Sequence, residues 1–288
     1  MQLVKDFLLE RYVIIAPGRS ARPKDVKVPR VKKDKKCPFC PGNEAMTPPA
    51  VKEIKKGKTW EIRIIPNKFP FVEGHEVIIE SSNHSSRLYD ENIERIKKVI
   101  ELYIERVKEL EKKYGYVQIF RNYGHDGGAS LTHPHTQITP LKEIPELVKE
   151  EITANEKYIK EKNICAFCDM IKKEGKIWEN SSFSIISPQA PRFSYESWII
   201  PKRHFSTIKE LNEKEIGDLA EALQRILKNM DKKLGNPSYN YILHQAENKN
   251  YHMHFEVLPV TSKIAGFEKA TGIYVNSVPP EETIKTLK

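Results

Sequence analysis

The sequence predicts an α+β fold made of two tandem halves related by internal duplication, each an antiparallel sheet with one main helix. Two observations predict it. An ordered set of cysteine and histidine motifs occurs twice along the 288 residues, and each set encloses one amphipathic helix followed by strand-like segments. Strands that pair around one main helix favour an antiparallel sheet over alternating parallel units. We expect the first half to span residues 1–145 and the second 146–288.

The repeated motifs consist of residues that ligate metals. Each half carries a C-x-x-C pair, then a histidine, then an H-x-H pair, and the two histidine spacings are 49 and 48 positions. A C-x-x-C turn brings two thiolates to one ion, and two histidines complete a tetrahedral zinc shell with no open position. We therefore expect two structural zinc sites. Their ligands are Cys37, Cys40, His84 and His133 in the first half, and Cys165, Cys168, His204 and His252 in the second.

Two other interpretations of the cysteines stay open. They could be small buried hydrophobic residues, or each C-x-x-C could be a redox pair. A redox pair does not explain why histidines recur at matching positions. Metal ligation accounts for all four positions in each half.

The main helices follow from apolar residues repeated at three-to-four spacing. Residues 93–110 and 216–230 show this pattern, and Gly115 and Gly235 are the expected stops. Each glycine is followed by a strand-like segment, residues 116–120 and 239–243, which is rich in β-branched and aromatic residues. Further strands are expected at residues 12–16, 62–65, 76–79, 183–186 and 197–200, and a charged, helical connector at residues 141–162.

Composition limits the classes of function. The net charge of +9 suits phosphate-rich ligands, but the basic tract at residues 24–36 lacks aromatic residues that would stack on bases. A zinc-stabilised nucleotide- or RNA-binding module without catalysis is therefore the weaker alternative, and we expect no nucleic-acid partner. No run of 18 apolar residues and no signal-peptide pattern occurs, so we expect a cytoplasmic protein without a membrane partner.

The H-x-H segment of the first half carries the candidate chemistry. On a β-strand alternate residues share a face, so His133, His135 and Gln137 should project together, with His133 on the metal and His135 towards a substrate. A fixed, neutral imidazole is a competent nucleophile for phosphorus. Gly128 and Ser130 offer backbone N–H groups, and Gln137 an amide, to a phosphate. The second half has Glu256 where the first has Gln137, which indicates a degenerate copy.

These residues resemble the galactose-1-phosphate uridylyltransferase family of the histidine triad superfamily. The segment Thr132–Gln137, T-H-P-H-T-Q, is similar to that family's signature, whose second histidine takes the nucleotidyl group. The resemblance implies phosphate or nucleotide contacts at Arg19, Arg22, Asn67 and Asn122. It implies hexose contacts at Lys263, Phe267 and Glu268. It covers nearly the whole chain.

The resemblance also implies a reaction and an assembly. The expected activity is uridylyl transfer between UDP-glucose and galactose 1-phosphate by a ping-pong route, in a homodimer that binds a nucleotide sugar and a sugar 1-phosphate. Ala129, Leu131 and the second C-x-x-C look more like the branch that acts on ADP-glucose. An ADP-sugar phosphorylase or a diadenosine tetraphosphate phosphorylase is therefore the alternative, and the second metal could be iron. Hydrolysing members carry a third histidine where this chain has Gln137.

Overall fold

A ten-stranded antiparallel sheet forms the centre of the protein. The computed structural model describes residues 1–21, 36–57 and 59–288. The first half contributes β3 (Lys52–Lys56), β4 (Thr59–Pro66), β5 (Glu76–Ile79), β6 (Tyr116–Tyr123) and β7 (His135–Leu141). The second half contributes β8 (Lys176–Glu179), β9 (Phe183–Ile186), β10 (Ser197–Pro201), β11 (Ser238–His244) and β12 (His254–Val260).

The strand order of the first half recurs in reverse in the second half of the sheet. It runs β3-β4-β5-β7-β6 and then β11-β12-β10-β9-β8, so each half arranges its five strands in the same way. The two copies join where β6 pairs with β11, with Asn122 opposite Asn240 and Arg121 opposite Tyr241. The predicted duplicated α+β fold is thus confirmed, and the two copies form one continuous sheet. The boundary at residue 145 stays a prediction.

Two long helices cover one face of the sheet. These are α1 (Ile93–Leu110) and α4 (Glu213–Leu234), the helices that the apolar spacing predicts. They contact each other, and their buried stripes pack on apolar strand residues in one large core cluster. Asn92 caps α1 by accepting a bond from the Arg95 backbone N–H, and Asn212 caps α4 in the same way through Glu215.

The two expected glycine stops behave differently. Gly235 ends α4 in the left-handed conformation at φ 72°, as expected. Gly115 does not end α1, because that helix ends at Leu110 and is capped by Glu111. Gly115 is required by a close approach of the chain instead, since a Cβ there would lie 2.4 Å from the carbonyl oxygen of Lys142.

Two glycines of α4 provide a matched pair of stability tests. We expect Gly235→Ala to lower the free energy of unfolding by about 1 kcal/mol, because alanine is strained at positive φ. Gly217→Ala should raise it by about 0.5–1 kcal/mol, because a Cβ there meets only the Lys97 side chain at 4.0 Å. Urea unfolding monitored by circular dichroism measures both. Changes of the same sign would contradict the assigned helix end.

The remaining elements lie around the sheet. The helices are α2 (Glu146–Lys162), α3 (Ala166–Lys173), α5 (Gly266–Thr271) and α6 (Pro280–Leu287). A second, three-stranded sheet joins the two ends of the chain: β2 (Tyr12–Ile15) pairs with β1 (Gln2–Lys5) and with β13 (Tyr274–Asn276). In the described part of the chain, no helix has the length and apolar character needed to cross a membrane.

A buried polar network fixes strand β7 from the helix side. The Thr136 hydroxyl lies 2.8 Å from the Tyr103 hydroxyl of α1 and 3.0 Å from the Tyr241 hydroxyl of β11. Glu80 accepts from Thr136 and forms a buried ion pair with Arg121. These buried hydrogen bonds hold β7 in place, although the Arg121 Nε atom has no hydrogen-bond partner among the described residues. Since neighbouring residues of a strand face opposite sides, His135 and Gln137 point away from α1.

Candidate active site and metal clusters

The first cysteine–histidine cluster has the geometry of a metal site. The ligand atoms of Cys37, Cys40, His84 and His133 all lie within 4.8 Å of one another. The Sγ–Nδ1 separations are 3.4 Å for Cys40–His84, 3.6 Å for Cys40–His133 and 3.7 Å for Cys37–His133. Ligands in a zinc tetrahedron with ordinary Zn–S and Zn–N bonds stand about 3.6 Å apart. The donor set therefore fits zinc.

Hydrogen bonds around this cluster direct the histidine Nδ1 atoms inward. The Nε2 atom of His133 donates to the Ser81 carbonyl oxygen at 2.7 Å, and Nε2 of His84 lies 3.0 Å from the Thr132 hydroxyl. A proton on Nε2 of His133 leaves its Nδ1 unprotonated, which a metal ligand requires. Burial also lowers the pKa of His133 to about 4.

The second cluster repeats this arrangement. Cys168 Sγ lies 3.5 Å from Nδ1 of His252 and 3.7 Å from Nδ1 of His204, and Cys165 Sγ lies 3.6 Å from Nδ1 of His252. The Nε2 atom of His252 donates to the Pro201 carbonyl at 2.9 Å. Both ligand sets expected from the motifs are therefore brought together.

The strand expected to carry the H-x-H segment starts later than predicted. Strand β7 begins at His135, so His133 lies in the bend before it. This bend lets the His133 side chain turn to the cysteines while its carbonyl oxygen faces His135. The same holds in the second half, where β12 begins at His254.

A cavity of about 500 Å³ opens on the sheet face opposite α1. Five residues expected at a nucleotide site line it: Asn67, Gly128, Ser130, His135 and Gln137. Pairing of Val77 with Gln137 and of Ile79 with His135 places β5 beside β7. Asn122 lines a smaller adjoining cavity of about 240 Å³, to which His135 also contributes. The structure therefore gathers six of the expected residues around one strand.

His135 is held as a neutral imidazole with one free nitrogen. Its Nδ1 lies 2.8 Å from the His133 carbonyl oxygen, which only accepts, so Nδ1 carries the proton. Nε2 is left with its lone pair. Burial lowers the pKa of His135 despite the bond to His133, so the ring is neutral near pH 7. Phe39, from the first C-x-x-C turn, packs its ring 5.4 Å from this imidazole.

Other expected site residues lie away from the cavities. Arg19 is exposed in a 3-10 turn, and Arg22 falls outside the described residues. Lys263 is exposed, and its Nζ atom lies 3.5 Å from Oδ1 of Asp126, a residue of the loop between β6 and β7. Phe267 is 47% exposed on α5, and Glu268 caps that helix by accepting from the Ala265 N–H at 3.0 Å. Among the described residues, none of these lines either cavity.

Among the cavity residues that sequence reasoning missed, two contact predicted site residues. His75 contacts Gln137, with its Nε2 atom 2.9 Å from the Gln137 Oε1 atom. The available signal was its place two residues before Val77, next to a predicted strand with alternating faces. Phe39 was passed over as a spacer of the C-x-x-C turn. Its contact with His135 depends on tertiary packing.

The second half contains a sealed version of the same site. His254 bonds through Nδ1 to the His252 carbonyl at 3.0 Å, as His135 does to His133. However, it is fully buried beneath Phe167 and Trp198, whose rings lie 4.5 and 5.3 Å away, and its Nε2 has no hydrogen-bond partner among the residues that the structure describes. A nucleophile that no substrate reaches cannot react.

Charged side chains fill the rest of this sealed site. Arg192 forms ion pairs with Glu196 and Glu256. Burial alone would lower the pKa of His244, but Glu151 and Glu256 raise it to about 10. The charged groups of the second site are thus paired with one another, and the open imidazole belongs to the first half.

Comparison with known proteins finds one family match in the first half of the chain and another in the second. Residues 68–145 match the family described as the N-terminal domain of galactose-1-phosphate uridyl transferase, and residues 172–263 match the HIT domain. A solved ADP-glucose phosphorylase from Arabidopsis thaliana, with bound ADP-glucose, superposes with a TM-score of 0.91 at 30% identity, covering 99% of this chain and 98% of that one.

Two galactose-1-phosphate uridylyltransferases are also similar. The enzyme of Schizosaccharomyces pombe is 33% identical over 86% of this chain and 82% of its own length. That of Thermotoga maritima is 28% identical over 100% of this chain and 98% of its own length. Together with the fold and the open imidazole, these similarities define a nucleotidyltransferase. The chain belongs to the galactose-1-phosphate uridylyltransferase family of the histidine triad superfamily, and it carries features of the branch that acts on ADP-glucose.

Proposed function

We propose that this protein transfers a nucleoside monophosphate from a nucleotide sugar to a second phosphate compound through a covalent intermediate on His135. The Nε2 lone pair attacks the α-phosphorus, and the bond to the sugar phosphate breaks, releasing sugar 1-phosphate. The second phosphate then attacks the same phosphorus, and the P–N bond to His135 breaks. The observation that carries this proposal is the Nδ1–H bond to the His133 carbonyl, which leaves Nε2 free.

The residues around His135 supply positioning and charge stabilisation, the main demands of phosphoryl-type transfer. The cavity also contains Gly128, Ser130 and Gln137. The Gly128 backbone N–H already donates to the His125 carbonyl oxygen at 3.0 Å, so the Ser130 hydroxyl and the Gln137 amide are the donors for phosphate oxygens. Asn122 lies on the other side of His135, in the adjoining cavity. The transferred nucleotidyl group would lie between Asn122 and the donors of the larger cavity.

We infer UDP-glucose and galactose 1-phosphate as the substrate pair. The named activity of the S. pombe and T. maritima relatives supports this pair. A second candidate, transfer of adenylyl from ADP-glucose to phosphate, is supported by the similarity to the A. thaliana enzyme along nearly the full length of both chains. Both candidates use the same covalent step and differ in the base and the acceptor.

We propose zinc in the first cluster and zinc or iron in the second. Four protein ligands leave no open position for a substrate, so the role of a bound metal would be structural. It would cross-link distant segments of the chain. The first cluster ties the C-x-x-C turn to the bend that carries His133, and so positions the carbonyl that orients His135.

We further propose a cytoplasmic homodimer in which the exposed Arg19, Lys263 and Phe267 contact substrate in the partner's site, as the family resemblance implies.

The proposal is tested by incubating the protein separately with UDP-glucose and ADP-glucose and measuring its intact mass. We expect a uridylyl adduct with UDP-glucose. An adenylyl adduct formed only with ADP-glucose would select the second candidate, and no adduct with either would refute the covalent route. His254→Gln is the control for a histidine substitution, since His254 occupies the position of His135 in the sealed copy. This variant should form the adduct like the wild type.

A further inference from the structure

His75 is a buried histidine that the proposed chemistry has not yet used. It is 3% exposed, immediately precedes β5, and lines the cavity with His135 and Gln137. Its backbone carbonyl accepts from the Asn67 N–H at 2.8 Å and so closes the loop between β4 and β5. The ring of Phe71 packs on the imidazole with centroids 4.5 Å apart. The ring is therefore fixed by both backbone and packing.

A chain of hydrogen bonds runs through this ring, and its direction is set at one end. The Phe69 backbone N–H donates to Asn67 Oδ1 at 2.9 Å. A backbone N–H can only donate, so it identifies the Asn67 oxygen and turns the NH₂ group the other way. That nitrogen lies 3.4 Å from Nδ1 of His75 and 3.2 Å from Nε2.

The His75 ring passes this direction to Gln137. Its Nε2 lies 2.9 Å from the Gln137 amide, so Nδ1, 3.4 Å from the Asn67 NH₂ group, is the nitrogen left to accept from that group. With Nδ1 accepting, the proton lies on Nε2, which donates to the Gln137 oxygen. Burial lowers the pKa of His75 despite the bond to Gln137, so the ring is neutral and donates on one side while accepting on the other.

The consequence falls on the other end of the Gln137 amide. With Oε1 held by His75, the NH₂ group is the end left for a ligand. Within the described residues this NH₂ makes no hydrogen bond. An amide whose ends are reversed would present oxygen lone pairs to an anion, which is repulsive.

We propose that His75 is a positioning residue that sets the orientation of the Gln137 amide, so that its NH₂ group donates to the phosphoryl group transferred by His135. This inference rests on the proposed function and adds a specific role for a residue outside the H-x-H motif. His75 acts through Gln137 and does not itself touch the reacting atoms.

The sealed copy supports a functional reason for the histidine. Trp198 pairs with Glu256 as Val77 pairs with Gln137, which places Glu196 at the position of His75. There a carboxylate faces a carboxylate, with Arg192 between them. The fold therefore accepts an unrelated polar group at this position, and the neutral donor–acceptor ring occurs in the copy with the open cavity.

The test compares His75→Phe, which keeps a ring against Phe71 but forms no hydrogen bond, with His75→Gln, which keeps a donor and an acceptor. Single-turnover adduct formation is measured with the nucleotide sugar that labels the wild type. We expect His75→Phe to slow nucleotidyl transfer on the order of 100-fold, as for loss of one preorganised donor. The dissociation constant of the nucleotide sugar should change much less. His75→Gln should restore most of the rate.

A double-variant cycle separates positioning from a merely structural role. If His75 acts through Gln137, then His75→Phe should cost less than about 2-fold when Gln137→Met is already present. Additive losses, or a His75→Phe variant as fast as the wild type, would overturn the inference.

Nitrogen-15 NMR of the histidine side chains decides the matter independently of activity. We expect His75, assigned by its missing signals in His75→Phe, to be neutral with the proton on Nε2. A proton on Nδ1 would overturn the inference. If the wild type forms no adduct, the proposed function fails, and the observed tautomer still tests the hydrogen-bond chain.

Discussion

We expect replacement of His135 by alanine to abolish the nucleotidyl adduct and to lower turnover by at least about 10⁴-fold. The expectation follows from the covalent route. Nε2 of His135 is the imidazole nitrogen available beside the cavity, and the P–N bond of the intermediate cannot form without it. Intact mass after incubation with the nucleotide sugar, and steady-state transfer to the sugar phosphate, measure the two effects.

Folding of this variant serves as its control. The His135 side chain is 8% exposed and makes one hydrogen bond, to the backbone, so the variant should lose only about 1–3 kcal/mol of unfolding free energy. A folded His135→Ala protein that still forms the adduct would show that another residue is the nucleophile.

Removal of one cysteine from each cluster should separate catalysis from stability. We expect Cys40→Ser to lose one of two bound metal ions, several kcal/mol of unfolding free energy and nearly all transfer activity. Structural zinc contributes about 10–16 kcal/mol in small zinc-finger peptides, and part of that is expected in a chain with its own core. Activity should fall because His133 belongs to this cluster and also holds His135 through its carbonyl.

Cys168→Ser is the matched variant in the second half. It should also lose one metal ion and stability, yet keep its activity per folded molecule, because the second cluster adjoins the sealed His254. Elemental mass spectrometry gives the metal content and urea unfolding gives the stability. Equal loss of activity in the two variants would contradict the division of roles between the clusters.

The repeated motifs predicted which cysteines and histidines come together in the two clusters, because the chemistry limits the choice. Few residue types bind zinc, and two ordered sets of four such residues at similar spacing leave few other partners. The helix at residues 93–110 was predicted because its apolar stripe is a local signal. Strand β5 at residues 76–79 was predicted for a similar reason.

The errors arose where packing decides. Gly115 carries the local sign of a helix end, but its small size serves a contact with Lys142 that no local pattern reveals. His133 lies before β7 because its side chain must reach the cysteines while Pro134 interrupts the strand hydrogen bonds. His75 lies 62 positions from Gln137 in the chain and meets it only because β5 pairs with β7.

The sequence by itself determined the duplication, the two ligand sets and the identity of the candidate nucleophile, because each depends on residue type and spacing. Only the tertiary structure decided that the two copies share one sheet, that the second histidine is sealed, and which way the Gln137 amide faces. These properties depend on contacts between segments far apart in the chain. Residue spacing carries no information about the burial or the hydrogen-bond direction of such contacts.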